Sequence, residues 1–348
     1  GNVGIGQSSP DGKLHIESGS AGTIGTLSYA DELILENSGA VGISLRSPDA
    51  NSGSIVWQSD TNDTVARIYG SYNSGNELLA FETSGTERMK LDDNSRISLS
   101  NNDSGTSNTV FGYGAGMPTG TNSNNNVIIG HQTFDLVAND GAVGNVFVGY
   151  RVARGNPTSD TDHNVGVGYV SLSALTSGDS NICIGSSAGV AITEEHNVIA
   201  IGRNAAATLN DTGADGTVAI GRDAFTALTT GAGNVAIGYQ SADAMTVGQK
   251  NVVVGHQAMS AAVEDGGCVA VGWNALLAAN GGGSDGSATN TYNTAIGYNA
   301  GAVISTGLRN TIVGGGAGPD FDAENNNTLI GAFVASGSNA AANLVGVG

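Results

Sequence analysis

The sequence predicts an all-β protein: a parallel β-solenoid, or β-roll, of 17-residue coils preceded by a smaller all-β domain, assembled as a homotrimer. Three observations predict it. From about residue 108 the chain repeats asparagine, three mostly apolar residues and glycine. The closing glycines fall at 112, 130, 149, 168, 185, 202, 221, 238, 255, 272, 297, 314, 331 and 348, so the commonest interval is 17 residues over 14 coils. The residues before each glycine form a short, β-branched run, which suits a strand.

The motif is plain in Asn126-Val-Ile-Ile-Gly130, Asn181-Ile-Cys-Ile-Gly185, Asn234-Val-Ala-Ile-Gly238 and Asn251-Val-Val-Val-Gly255. The residue before the glycine is always apolar, from Phe111 and Ile129 to Val347, and the one two earlier is always Val, Ile or Thr. These two share one strand face and are expected to stack as an aliphatic ladder. A second short segment follows the glycine, as in Tyr239-Gln-Ser-Ala242 and Trp273-Asn-Ala-Leu276, and is read as a second strand. Turns such as Thr229-Thr-Gly-Ala-Gly233 close the coil. One such coil cannot hide its apolar face alone, so coils must stack. Longer intervals add residues mainly at one corner, the longest carrying Asn280-Gly-Gly-Gly-Ser-Asp-Gly286. At about 4.8 Å per coil the stack spans roughly 60 Å.

The residue between the two ladder positions is Ala200, Ala219, Ala236, Ala270 or Ala295 in many coils, and Val110, Ile128, Phe147, Val253, Ile312 or Leu329 in others. A strand apolar on both faces is buried on both. A roll has one interior, so the face carrying these residues is expected to pack against partner chains. The asparagine, replaced only by Val198, Thr217, Cys268 and Leu344, is read as structural, hydrogen-bonding up the stack. Cys183 and Cys268 lie five coils apart, about 24 Å, beyond the reach of a disulfide, and are expected to be small buried apolar residues.

Residues 1–100 differ. Strand-type alternation marks Lys13-Leu-His-Ile-Glu17, Glu32-Leu-Ile-Leu-Glu36, Ser54-Ile-Val-Trp-Gln58, Ala66-Arg-Ile-Tyr69, Glu77-Leu-Leu-Ala-Phe-Glu82 and Glu87-Arg-Met-Lys-Leu91. Turn clusters at Ser9-Pro-Asp-Gly12 and Tyr72-Asn-Ser-Gly75 separate them, and the polar segment 92–106 is the expected junction with the repeat domain, 101–348. Gly1-Asn-Val-Gly-Ile-Gly6, Ser9-Pro10, Lys13-Leu-His-Ile16 and Phe81-Glu-Thr-Ser-Gly-Thr-Glu-Arg-Met-Lys90 resemble segments of bacteriophage tail fibres, as does Asn293-Thr-Ala-Ile-Gly-Tyr-Asn-Ala300. The 17-residue unit is similar to the head repeats of trimeric autotransporter adhesins, which form a left-handed β-roll in a homotrimer. The resemblance implies a fibre shaft or connector domain at 1–100. It also implies a virion tail fibre that contacts other fibre or baseplate proteins and a host-surface glycan or outer-membrane component. The alternatives are a bacterial cell-surface trimeric adhesin and a polysaccharide-degrading tailspike. Such fibres often end in a cleaved C-terminal chaperone, which is not read here. The opening Gly1-Asn-Val is read as part of something longer.

Chemistry is sparse. With 31 acidic against 12 basic residues the net charge is −19, which repels phosphate, so no nucleic-acid partner is expected. No run of 18 apolar residues marks a transmembrane helix, so no membrane insertion is expected. No zinc-protease, P-loop or nucleophile-elbow motif occurs, and no catalytic residue or cofactor is assigned. Asp320, Asp322 and Glu324 have the alternate spacing that opens a calcium loop, without its glycine and distal glutamate, and are the only, weak, metal candidates. Asp160, Asp162, Asp211 and Asp215 are read as solvated turn residues. The position after the glycine holds Tyr113, His131, Tyr150, Tyr169, Arg203, Arg222, Tyr239, His256, Trp273 and Tyr298. Its rings Tyr113, Tyr150, Tyr169, Tyr239, Trp273 and Tyr298 form a candidate glycan-contact ladder, or simply cover the edge of the rod. The expected function is adhesive and structural, through weak contacts repeated along a stiff scaffold.

Overall fold

A computed structural model describes residues 3–5, 14–17, 33–36, 43, 45, 52–59, 62–71, 78–92, 97–98, 107–116, 123–134, 141–155, 161–281, 289–335 and 342–348. The turn clusters at 9–12 and 72–75, most of the 92–106 junction, Asp160 and the loop 282–288 lie outside them. The chain divides into two compact units, Gly1–Ile97 and Ser98–Gly348. Almost every described element is a strand, and no helix among the described residues is long and apolar enough to cross a membrane.

The first unit contains all six of the strands expected there. Val3–Ile5, Leu14–Glu17 and Leu33–Glu36 form a parallel sheet in that order. Ser52–Ser59, Asn62–Ser71, Leu78–Thr83 and Thr86–Asp92 pair antiparallel in that order, and Ile97–Ser98 extends the same sheet beyond them. Period-two alternation separates its faces. Ile55, Ile68, Phe81 and Met89 stand opposite one another across four strands, with Ile55 and Phe81 exposed. On the other face Arg67 pairs with Glu82 at 2.6 Å and lies 4.0 Å from the Tyr69 ring centroid. Burial and a hydrogen bond donated to Glu87 push the Tyr69 hydroxyl up to about 12.

The second unit is the solenoid. Fourteen short strands, from Thr109–Phe111 to Val345–Val347, form one parallel sheet in chain order. The register pairs equivalent repeat positions, as in Val235↔Val252, Ala236↔Val253 and Ile237↔Val254. Each coil contributes one strand to this sheet, not two. In the segment after the glycine, the second and fourth residues adopt left-handed backbone, as at Gln240 (φ 49°) and Ala242 (φ 48°). Alternate left-handed residues keep the segment out of the extended conformation of a strand. Its peptides still bond between coils: Gln240 N–H donates to the Arg222 carbonyl at 3.0 Å, and Ala242 N–H to the Ala258 carbonyl at 2.9 Å.

The expected assignment of strand faces is reversed. The middle strand residue points inward: Ile128, Phe147, Cys183, Ala200, Ala219, Ala236, Val253, Ala270, Ala295, Ile312 and Leu329 are all fully buried. The aliphatic pair flanking it points outward, and Ile184, Ile237, Val252, Ile296 and Ile330 are 38–45% exposed in the single chain. The reason is width. The opposite wall lies across a thin interior that it also fills, with Ser241, Ala242 and Met245 or Ala224, Phe225 and Leu228. A large inner residue therefore needs small neighbours. The Phe147 ring lies beside Gly166, where a Cβ would stand 2.6 Å from Val152 and 3.1 Å from Phe147.

Two features hold the coils together. The closing glycines from Gly112 to Gly331 have φ between 131° and 145°, outside the range of L-residues. A Cβ on any of them would lie under 3.0 Å from the next coil's glycine carbonyl oxygen. The asparagines form the expected ladder. Asn251 Nδ2 donates to Asp265 O at 2.8 Å and to Asn234 Oδ1 at 3.2 Å, and its Oδ1 accepts the Cys268 N–H at 2.9 Å. The same pattern links Asn108, Asn126, Asn145, Asn164 and Asn181 and, later, Asn293, Asn310 and Asn327. Where Val198, Cys268 or Leu344 replaces the amide, its backbone N–H takes the last acceptor. The 19-residue coil after Gly202 accommodates its extra residues in a 3-10 turn, Thr212–Ala214, where Asp211 accepts the Gly213 N–H at 2.8 Å.

Asn251→Ala leaves two buried polar groups, the Asp265 carbonyl and the Cys268 N–H, without the side-chain partner they have now, each costing about 1–3 kcal/mol. It is expected to destabilise the solenoid by roughly 2–5 kcal/mol. Thermal melting checks the size, and hydrogen exchange checks that protection is lost first around residues 234–268.

Candidate functional site

The backbone places every side chain of the candidate ladder in one line. The carbonyl of each residue after a closing glycine accepts the N–H of the second residue after the glycine in the next coil. The series runs Tyr113, His131, Tyr150, Tyr169, Ser186, Arg203, Arg222, Tyr239, His256, Trp273 and Tyr298, with N···O distances of 2.7–3.0 Å. These are consecutive rungs at strand spacing. Ser186, unremarked in the sequence, is one of them.

Two stacks result. Tyr113, His131, Tyr150 and Tyr169 have successive ring centroids 5.3, 5.4 and 5.0 Å apart, the last pair only 7° from parallel. Tyr239, His256 and Trp273 follow at 4.9 and 3.9 Å. The Arg222 guanidinium lies over Tyr239, 4.4 Å from its centroid. Among the described residues no ring contact joins Trp273 to Tyr298, which ends the line as a separate ring. Inner rungs have both faces covered by neighbours, so they show solvent their edges and polar atoms. Open faces belong to the ends of stacks, where Tyr113, Tyr169 and Tyr298 are 77%, 57% and 62% exposed. The rungs beside the rings form a polar ladder one residue on. Arg151 Nε donates to Gln132 Oε1 at 3.1 Å and Gln257 Nε2 to Gln240 Oε1 at 3.0 Å. Rings bordered by amides form a surface that offers both apolar contact and directed hydrogen bonds.

The metal candidates do not gather. Glu324 Oε2 accepts the Asp322 N–H at 2.7 Å, Asp322 accepts from the Ser305 hydroxyl, and Asp320 is exposed. Glu324 thus serves its own turn and Asp322 ties it to the preceding coil. Among the described residues no three acidic, histidine or cysteine side chains converge as metal ligands.

Of the turn carboxylates read as solvated, Asp211 is exposed, but Asp162 and Asp215 belong to a second structural ladder. Asp162 Oδ1 accepts the Val143 N–H at 2.7 Å, and Asp179 Oδ1 the Asp162 N–H at 2.7 Å. His196 Nδ1 accepts from Asp179 N–H at 3.0 Å, and Asp215 Oδ1 from His196 N–H at 2.8 Å. Each side chain accepts from the coil before it, the reverse of the asparagine ladder. The intervals of 17, 17 and 19 residues between Asp162, Asp179, His196 and Asp215 carry this signal in the sequence.

The buried titratable groups are interior too. Cys183 and Cys268 are free and buried. Burial raises the Cys183 thiol far above its ordinary value and brings Cys268 up to about 11. Glu195 is buried, its Oε2 accepts the Thr193 and Glu194 N–H groups, and its Oε1 has no partner among the described residues. Burial pushes its carboxyl up, as it does those of Asp243 and Asp265.

A carboxyl raised in the folded state stabilises the fold fully below its unfolded value, about 4.3 for glutamate. That contribution is lost as pH rises through the folded value. The melting temperature is therefore expected to climb as pH falls from 7 toward the unfolded carboxyl value. Glu195→Gln, which keeps the shape but not the titration, is expected to raise the pH 7 melting temperature by a few degrees and to flatten the climb. Calorimetry of both proteins across that range checks it.

Compared with protein-family models, with curated proteins and with solved structures, the chain matches none.

Proposed function

We propose that the chain is a segment of a homotrimeric viral attachment fibre, a rod on the outside of the virion that carries contacts to a host-surface glycan. The observation that carries the reading is the outward face of the solenoid sheet. It is a continuous array of Val, Ile and Thr with Phe111 in its first coil, and Ile184, Ile237, Val252, Ile296 and Ile330 are left 38–45% exposed in one chain. Aliphatic area of this extent on a flat, rigid surface favours burial against an equivalent surface. Three copies about a long axis would bury all their sheet faces and leave the ring ladders at the perimeter. The apolar face of the first unit, with Ile55, Trp57 and Phe81 exposed, asks for the same cover.

Adhesion then follows from repetition. Weak contacts on one chain recur three times around the axis, and multivalency multiplies them. The rest of the particle supplies the partners at the fibre ends. The reading treats the rod as a binder and assigns no bond-breaking step to its carboxylates.

Light scattering of the purified chain is expected to give a mass three times 34.5 kDa. Ile237→Asp places a charge in the centre of the apolar face and is expected to give a monomer that keeps the circular dichroism of the sheet. A monomeric wild type removes the basis of the trimer. Failure of the labelled trimer to adhere to any bacterial surface, or release of oligosaccharide from host capsule or lipopolysaccharide, counts against attachment as its role.

A further inference from the structure

The line of side chains after the closing glycines is interrupted once by a small residue between large ones. Tyr169, Ser186 and Arg203 are consecutive rungs: Ser187 N–H donates to the Tyr169 carbonyl at 2.9 Å, and Asn204 N–H to the Ser186 carbonyl at 3.0 Å. Tyr169 is stacked on Tyr150 at 5.0 Å on one side. On its other side the next rung is a hydroxymethyl group. Two strand spacings, about 9.6 Å, separate the Tyr169 and Arg203 rungs. That leaves room over Ser186 for one ring at the separation the ladder itself uses.

The far wall of this slot is cationic. Arg203 is 57% exposed, and its guanidinium lies 3.8 Å from Asp223 in the following coil. Asp223 is shared: Arg222 Nε lies 3.2 Å from the same oxygen, and Asn204 Nδ2 donates to the other at 2.9 Å. Two arginines on adjacent rungs thus share one largely buried carboxylate, on which Asp243 of the next coil also acts electrostatically. Arg222 is further engaged by Tyr239, on which it lies and to whose hydroxyl it donates. Arg203 has the weaker, exposed pairing. In a chain of net charge −19 this sets an exposed, weakly paired guanidinium beside an open aromatic face.

From this juxtaposition we infer that the Tyr169–Ser186–Arg203 slot binds a sugar unit bearing a carboxylate, of the uronate or sialate class. The C–H face of the pyranose lies on the electron-rich face of Tyr169, and the carboxylate takes the guanidinium of Arg203, whose planar fork suits it. Ser186 and its neighbours Ser187 and Asn204 offer hydroxyl and amide groups at the floor. Tyr298 is the contrasting case: its open side meets Gly315 and then Ala332, with no cation in reach along the line. The inference rests on the glycan-binding reading above and specifies the ligand class.

The test uses the intact chain in titrations with short galacturonate, glucuronate and sialyl oligosaccharides, each beside its carboxyl-reduced neutral form. At least one acidic form is expected to bind about tenfold more tightly than its neutral counterpart, the worth of one hydrogen bond to a charged group. Arg203→Gln is expected to abolish that preference while leaving the neutral form's affinity unchanged. Ser186→Tyr continues the ring ladder, so it keeps the fold, fills the slot and removes binding of both forms. Tyr298→Ala is expected to change neither. Equal binding of acidic and neutral forms, binding that survives Ser186→Tyr, or no binding of any acidic probe overturns the inference. A trimer that still adheres to cells in that event leaves the attachment reading standing, whereas loss of adhesion altogether removes both.

Discussion

Neighbouring coils meet closely at every closing glycine, and that approach sets the terms for the rest of the solenoid. From Gly112 to Gly331 the backbone has a φ that only glycine adopts readily, and the next coil's carbonyl oxygen occupies the volume a Cβ would need. The equivalent corner of every coil is thereby brought to the same distance from the next. All other repeat positions fall into register behind it, which is why the stack converts each column of side chains into a ladder. The non-glycine left-handed residues add to the dependence on neighbours. Gln240, Ala242, Met259 and Leu276 each hold a positive φ that costs about 1–2 kcal/mol. Hydrogen bonds to adjacent coils hold them there. One coil alone has neither those bonds nor enough interior, so the coil is a unit of structure only within the stack.

The stitching between coils runs in both directions. The asparagine ladder accepts from the coil after it, and the shorter Asp162–Asp179–His196–Asp215 ladder accepts from the coil before it. Polar side chains inside a thin stack would be costly if unpaired. Here the regularly spaced backbone N–H groups that the solenoid supplies donate to them. The same thinness drives the aliphatic residues outward. The inner strand position admits alanine in many coils and a large residue only where a neighbour shrinks, as Gly166 does beside Phe147. The β-branched pairs, though the most regular apolar feature of the sequence, find no room inside.

Much of this architecture is legible in the residues. The glycine interval gives the coil length and the fourteen strands, and the asparagine column gives the buried amide ladder. Period-two alternation gives six of the strands of the first unit, though not Val3–Ile5 or Ile97–Ser98. Two things are not legible for physical reasons. Hydrophobicity alone does not say which side of a doubly apolar strand faces in. That depends on the distance to the opposite wall, and regular Val and Ile columns look like a core although they form a surface. The second segment reads as a strand because its columns repeat just as regularly. Its left-handed residues at Gln240 and Ala242 have no signature in side chains as ordinary as glutamine and alanine. The candidate site was legible as a column of rings. Its decisive rung, Ser186, was not, because its meaning comes from lying between Tyr169 and Arg203.

A ring ladder on a solenoid has a simple origin, since any residue type that recurs at one position will stack. Stacking also uses up the ring faces that recognition needs. His131 and Tyr150 lie between other rings, and His256 is sandwiched between Tyr239 and Trp273 at 4.9 and 3.9 Å. Inner rungs therefore stiffen and cover the rod, and specificity has to reside where the repetition breaks. A break restores an open face without loosening the backbone, because the hydrogen bonds that hold the rungs involve main-chain atoms and continue through Ser186 unchanged. The regular part of the repeat supplies rigidity and the irregular part supplies chemistry. On such a scaffold the informative residues are those that depart from their column.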